Sequence, residues 1–291
     1  VTGYLAAEGF LDELLFELGD GVREVRERLV LHDGPARDAA WAQNVWRDPV
    51  EIPFASVGEA AKALRGIQRN WALYSTAEHR RAALIAEKLP HVSAKPIGFP
   101  GPLPIAPMGS WTLLDRGRLL AAAHCSSAFP NGEVRFVEDK EGPPNRAYLK
   151  LWEALTLLQR WPQPGESCVD LGASPGGWTW ALAKLGARVQ SVDKAPLDPR
   201  VAPLAEHRLE SAFGIEPFEV DWLFSDIVCY PDRLITLIRR WLPFARNLVC
   251  TVKFQGATDH RASRELAAIE GSRLMHLFHN KHELTWVRPV L

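Results

Sequence analysis

Ten residues at 169–178, VDLGASPGGW, have the composition of a ligand-binding turn. Asp170 closes an apolar stretch, Gly172, Ala173, Ser174, Pro175, Gly176 and Gly177 follow, and Trp178 opens a helical pattern. At the carboxyl edge of a strand, such a loop lies where open α/β sheets bind ligands. Its spacing is neither G-x-G-x-x-G nor a P-loop, and it has no lysine to meet a phosphate. Small residues let the backbone approach a bound group closely, and N–H groups at a helix start favour a carboxylate. Asp193 ends the next apolar run about twenty residues on, the usual place for a carboxylate that accepts hydrogen bonds from ribose hydroxyls. Together these residues suit a nucleoside that carries an amino acid, and S-adenosylmethionine is the cofactor they imply. A glycine-rich turn with a helix-capping Asp is the plainer alternative for the same residues.

A loop of this kind needs a sheet to carry it, and the chain offers one. From Tyr148 onward the pattern is a helix (YLKLWEALTLLQRW), a strand (SCVDLGA), a helix (GGWTWALAKLG), strands RVQSVDK and DWLFSDIV, a helix (DRLITLIRRWL) and a strand (NLVCTVKF). Short apolar strands alternating with helices predict a doubly wound α/β fold, a Rossmann-like domain with a mostly parallel sheet. The tail LMHLFHNKHELTWVRPVL reads as two more strands around a polar turn at His279 to His282, giving an antiparallel last strand.

The stretches KPIGFPGPLPIAPMG (95–109) and FVEDKEGPPNR (136–146) break the composition, and the second is the better boundary. We therefore expect a smaller α+β domain at 1–140 and the Rossmann-like domain at 141–291. In the first, LAAEGFLDELLFELG, VGEAAKALRGIQRNWALY and AEHRRAALIAEKLP read as helices, VREVRERLVLHDG as a strand or strand pair, and SWTLLDRGRLLAAAHC as a hairpin.

The chain has 291 residues, 47% of them hydrophobic, enough for a sizeable core, and a formal charge of -1 gives no global pull toward polyanions. Any nucleic-acid contact must come from a local patch. Lys62, Arg65 and Arg69 are spaced to line one face of a helix, with Arg80 and Arg81 on the next; they are candidates for RNA phosphates, against the alternative of a solvated basic face. Trp41, Trp46 and Trp71 are candidates for stacking on bases, although most of the eleven tryptophans are expected in the core. Cys125, Cys168, Cys229 and Cys250 follow no C-x-x-C spacing and read as buried thiols in a reducing compartment. No apolar run is long enough to cross a bilayer, and the acidic start is unlike a signal peptide, so a soluble cytoplasmic protein is expected. The chain begins at Val1 rather than Met, which suggests that some N-terminal sequence was trimmed. His260, His276, His279 and His282 lack a matched Cys or carboxylate set, and no metal is expected.

VDLGASPGGW resembles the first motif of the FtsJ/RrmJ ribose 2'-O-methyltransferases, and the resemblance runs from about Tyr148 to Val290, roughly half the chain. That family uses S-adenosylmethionine and a Lys-Asp-Lys-Glu tetrad on RNA. The resemblance implies Lys150 in AYLKLWEA, Asp226 in WLFSDIV, Lys253 in CTVKFQG and Glu283 in HNKHELTWV as its counterparts. It implies Lys253 as general base, Asp226 beside the transferring methyl, and Lys150 and Glu283 as orienting groups. Asp226 thereby joins the cofactor residues, as does Glu210 in HRLESAFG, where the family usually offers an Asp and this chain continues with Ser211. The resemblance extends to a THUMP-like RNA-binding region at 1–140 and to RNA, rRNA in particular, as the partner.

A lysine is a poor base at its reference pKa of about 10.4, and burial or a neighbouring cation must depress it. Lys150 would supply that cation to Lys253, while Asp226 and Glu283 act in the opposite sense. Two rival functions stay open: an RNA-binding protein that has lost catalysis, and a methyltransferase acting on something other than RNA.

Overall fold

A computed structural model describes residues 1–290, and the chain forms two compact units. The first comprises Val1–Ile97 and Leu103–Arg135, the second Gly98–Pro102 and everything from Phe136 onward. The division falls at 135/136 rather than 140/141, at the start of the charged break, and five residues of the Pro-rich stretch join the second unit.

The first unit contains β1 (Thr2–Ala6), α1 (Leu11–Leu18), β2 (Val22–Arg26), β3 (Leu29–His32), β4 (Ala42–Arg47), β5 (Val50–Pro53), α2 (Val57–Ile67), β6 (Trp71–Leu73), α3 (His79–Ala86), β7 (Gly109–Leu113), β8 (Arg118–Ala122) and β9 (His124–Cys125). Two sheets result, ordered β2-β3-β1-β4-β9 and β5-β8-β7-β6. They share a core of Leu29, Leu31, Trp46, Leu114, Leu120 and Ala122. A second cluster, with Ala60, Leu64, Ala82, Ile85 and Trp111, contains residues of α2 and α3 at helical spacing together with residues of the four-stranded sheet.

Several sequence expectations change here. LAAEGFLDELLFELG is the end of strand β1 followed by helix α1, because Tyr4 and Leu5 pair with Val30 and Leu29 of β3. The helix expected over 57–74 stops at Ile67, and Trp71–Leu73 pair with Gly109–Trp111 instead. The sequence pattern does not announce strands β4 and β5. They are short, and only β4 has buried positions.

The second unit contains α4 (Tyr148–Leu158), β10 (Ser167–Leu171), α5 (Gly177–Lys184), β11 (Arg188–Asp193), β12 (Glu206–Leu209), β13 (Val220–Ser225), α6 (Pro231–Trp241), β14 (Ala245–Lys253), α7 (His260–Ala267), β15 (Arg273–Met275) and β16 (Glu283–Arg288). Its sheet is ordered β12-β11-β10-β13-β14-β16-β15. The first five strands pair in parallel, and β16 pairs antiparallel with β14 and β15. This is the α/β architecture expected, with two elements, β12 and α7, that the sequence did not announce. Strand order reverses between β10 and β13, so the turns after both strands open at one crevice.

Candidate active site

Four charged side chains from separate segments meet at the carboxyl end of this sheet. Lys253 is the last residue of β14 and Glu283 the first of β16; they face each other across the antiparallel ladder, so their side chains leave the sheet on one face. Asp226 follows β13, the parallel neighbour of β14. Lys150 comes from α4, whose residues Tyr148 to Thr156 are all buried. A lysine in so apolar a helix needs partners, and it has them. Lys150 Nζ donates to Asp226 Oδ1 at 3.0 Å, Oδ2 at 3.2 Å and Glu283 Oε1 at 2.9 Å. Lys253 Nζ lies 3.0 Å from the same Asp226 Oδ1 and donates to the Asp226 carbonyl at 2.6 Å.

Burial alone would push the Lys150 ammonium down, but the carboxylates of Asp226 and Glu283 outweigh it and raise its pKa. Lys150 therefore keeps its proton at neutral pH. Its charge sits beside Lys253, the two nitrogens sharing one carboxylate oxygen.

The glycine turn between β10 and α5 is closed by contacts within the protein. A Cβ on Gly172, where φ is +78°, would lie 2.5 Å from Ile227 Cγ1; on Gly176, with φ +114°, it would lie 2.8 Å from Val201 Cγ1. On Gly177 it would lie 2.2 Å from Asn145 Oδ1. The small residues thus let neighbouring segments close on the turn from the protein side.

Asp170 lies under the turn, 1% exposed. Its Oδ2 accepts from the Thr179 hydroxyl at 2.6 Å, while Oδ1 is buried with no hydrogen-bond partner. Burial lifts its pKa to about 7, against the Thr179 hydrogen bond and with help from the Asp226 charge. Asp193 is half-buried at the end of β11; its carboxylate accepts from Ser174 N at 3.1 Å and Ala195 N at 2.9 Å. Ala173 is buried, Pro175 is exposed, and Ser174 Oγ donates to the Pro196 carbonyl. A buried carboxylate oxygen awaiting a donor and a second carboxylate beside the loop fit a ligand with an amino group and hydroxyls.

Other expected site residues are engaged with neighbouring protein groups or belong to the first unit. Trp178 is 4% exposed and donates its indole N–H to the Ala147 carbonyl at 2.9 Å, bracing the start of α4 instead of lining the turn. Glu210 forms an ion pair with Arg208. In the first unit, Lys62 and Arg65 are exposed on α2, but Arg69 lies beyond the end of that helix, which breaks the expected stripe. Arg65 donates to the Lys88 carbonyl and Arg81 to that of Ala55, with the Arg81 guanidinium over Phe54; Arg80 is exposed. Trp41, Trp46 and Trp71 are 1%, 0% and 5% exposed, too buried to stack on bases.

His276 Nε2 meets the Lys281 carbonyl, His279 Nδ1 meets Glu153, and His282 Nε2 meets the Thr258 hydroxyl. Burial lowers the His276 pKa to about 4. Among the described residues, no group of three or more His, Cys, Asp or Glu is arranged to hold a metal ion.

Two contributors escaped the sequence reading. Asn145 accepts from Ala147 N at 3.0 Å at the start of α4 and abuts Gly177. Glu153 is 2% exposed on the same helix as Lys150. The signal for it is in the sequence: a Lys and a Glu three residues apart in a helix whose other residues are, but for Thr156, largely apolar.

The strand order and the charged groups at the carboxyl end of the sheet define the site, and sequence comparison says what it is similar to. Residues 143–228 match the family described as FtsJ-like methyltransferase. The ribosomal RNA large subunit methyltransferase M of Halorhodospira halophila is 38% identical over 170 residues, 54% of this chain and 50% of that protein. Its namesake from Alkalilimnicola ehrlichii is 36% identical over 188 residues, 57% of this chain and 51% of its own. The chain spans about half the length of the curated relatives it matches. Among solved structures, magnesium protoporphyrin IX methyltransferase from Synechocystis PCC 6803 aligns with 43% of this chain and 71% of its own at 17% identity and a TM-score of 0.33.

Proposed function

We propose that this chain is an S-adenosylmethionine-dependent methyltransferase acting on ribosomal RNA, and that it modifies a ribose 2'-hydroxyl. The observation that carries this reading is the meeting of Lys150 and Lys253 on one oxygen of Asp226, with Glu283 on Lys150. The 143–228 match and the names of the relatives support the methyltransferase class.

S-adenosylmethionine, when bound, supplies a methyl group on a sulfonium. Asp170, Asp193 and the turn from Gly172 to Gly177 are the residues that would hold it. Lys253 would take the ribose hydroxyl proton on Nζ as that oxygen accepts the methyl group the cofactor would supply. Lys150 remains an ammonium and orients Asp226 and Glu283; its fixed charge also favours the developing alkoxide. Asp226 holds both lysines at the end of β13.

We assign the first unit, with Lys62, Arg65, Arg80 and Arg81, a role in holding the RNA, and place the protein in the cytoplasm, where its four unpaired cysteines suit a reducing environment. No helix of the described residues is long and apolar enough to cross a membrane. Glu210 followed by Ser211, where the family usually offers an Asp, favours one rival, an RNA-binding scaffold that has lost catalysis. RNA binding without cofactor affinity in calorimetry would establish that rival. The direct test is tritiated cofactor with total RNA and nuclease mapping of the label: ribose label is expected, and base label would overturn the assignment.

A further inference from the structure

Glu153 stands outside the four charged residues yet is more deeply buried than Lys150 and Glu283, at 2% exposure against 9% for each. An isolated carboxylate at such a position would be costly, and this one is fully bonded. Its Oε1 accepts the Phe278 N–H at 2.8 Å. Its Oε2 accepts the His279 N–H at 3.0 Å and the His279 ring at Nδ1, 2.6 Å away; a carboxylate only accepts, so Nδ1 carries the proton.

These bonds hold the segment between β15 and β16 that leads into Glu283. Inside it, Asn280 N–H donates to the Leu277 carbonyl, and the Asn280 amide donates to the Glu283 carbonyl at 3.2 Å and the Thr285 hydroxyl at 3.1 Å. Glu283 then accepts from Lys150. Lys150 and Glu153 are three residues apart on α4 and share a face. The segment is therefore fastened to one helix face at two points, Phe278–His279 on Glu153 and Glu283 on Lys150. Pairing with β14 sets the backbone of Glu283 opposite Lys253, but Glu283 is the first residue of β16, so the approach from its N-terminal side depends on the helix.

We propose that Glu153 is a positioning residue for the catalytic lysines: by anchoring the 278–279 backbone it aims Glu283 at Lys150, and through the shared Asp226 it sets Lys253. This rests on the methyltransferase reading for its consequence, and on geometry alone for the link itself. Glu153→Gln keeps the size but presents an amide N–H to at least one of three donors.

The test has two arms. In the first, nitrogen-15 NMR of the lysine ammonium groups follows Lys150 without any turnover. In E153Q its slowly exchanging signal should shift and broaden as in Glu283→Gln, with cofactor affinity unchanged by calorimetry. In the second, kcat on RNA should fall about ten- to a hundredfold with little change in KM, the scale on which groups that orient a functional side chain act. The E153Q/E283Q double variant should be no slower than the slower single one. A folded E153Q with a native Lys150 signal and wild-type kcat, or losses that multiply in the double variant, overturns the proposal. If E153Q does not fold, Glu153→Asp, which keeps the charge but shortens its reach to the 278–279 backbone, is read by the same spectrum; a native Lys150 signal there also overturns it. A perturbed Lys150 signal in a protein whose wild type transfers no methyl upholds the link and removes the methyltransferase reading instead.

Discussion

The two units bury polar groups in different ways. In the first, the buried polar residues are Thr2, His32, Asn44, Ser110 and Thr112, with no Asp, Glu, Lys or Arg among those described. In the second, Lys150, Glu153, Asp170 and Glu283 are all buried. The first unit keeps its charges at the surface, where Arg65 and Arg81 reach backbone carbonyls and Arg118 pairs with exposed carboxylates. The second places them where desolvation is expensive, and offsets that by pairing them with one another and with backbone donors. Stability alone gives no reason for this; a helix like α4 would pack well without Lys150. Buried charges gathered in one unit set it apart from the other.

Substitutions can break this contrast or sharpen it. The largest effect is expected from Lys253→Ala, which should lower methyl transfer by about 10²–10⁴-fold, the usual worth of a general base, while calorimetry shows cofactor binding unchanged. Equal rates would remove Lys253 from the chemistry. Lys150→Met should destabilise the second unit by about 3–5 kcal/mol in urea unfolding, because Asp226 and Glu283 are left without their shared cation. The raised pKa of Lys150 means its contribution is complete below the unfolded value of 10.5 and is lost as pH climbs through the folded one. Wild type should therefore show an alkaline fall in stability that K150M lacks.

Gly172→Ala adds a Cβ 2.5 Å from Ile227 at a positive φ, and should cost about 1–3 kcal/mol by the same measurement. Asp170 acts in the same direction as Lys150 but at lower pH. Its pKa rises from 3.8 in the unfolded chain to about 7 in the fold, so between those values the folded state holds a proton the unfolded state has released. Stability from this group falls as pH rises through that window, and Asp170→Asn should flatten the decline between about pH 4 and 7. The smallest effect belongs to the first unit: Lys62→Ala and Arg65→Ala should change stability by no more than about 0.5 kcal/mol. If those residues touch phosphates, each should reduce the salt dependence of RNA binding by about one unit of slope.

Much of the second unit was legible because its strands are short apolar runs between amphipathic helices and its turn is rich in glycine. The first unit was harder to read. Strand β1 merged with the helix that follows it, and β6 with the helix before it, since three- to five-residue strands leave little periodicity to detect. Arg69 left its expected face for the same reason. The misplacement of Trp178 has another cause: a tryptophan beside a glycine loop looks the same in sequence whether its indole faces the ligand or a neighbouring helix.

The amino-acid order determined the alternation of strands and helices, the tight turn after Asp170, and the kinds of charge available near strand ends. Only the tertiary structure decided that Lys150 and Glu283, 133 residues apart, lie 2.9 Å from each other, that two lysines meet on one oxygen, and that Glu153 holds the segment between them. The physical reason is that local propensities act over a few residues, whereas convergence depends on strand order and crossovers, which bring distant segments together once apolar faces are buried.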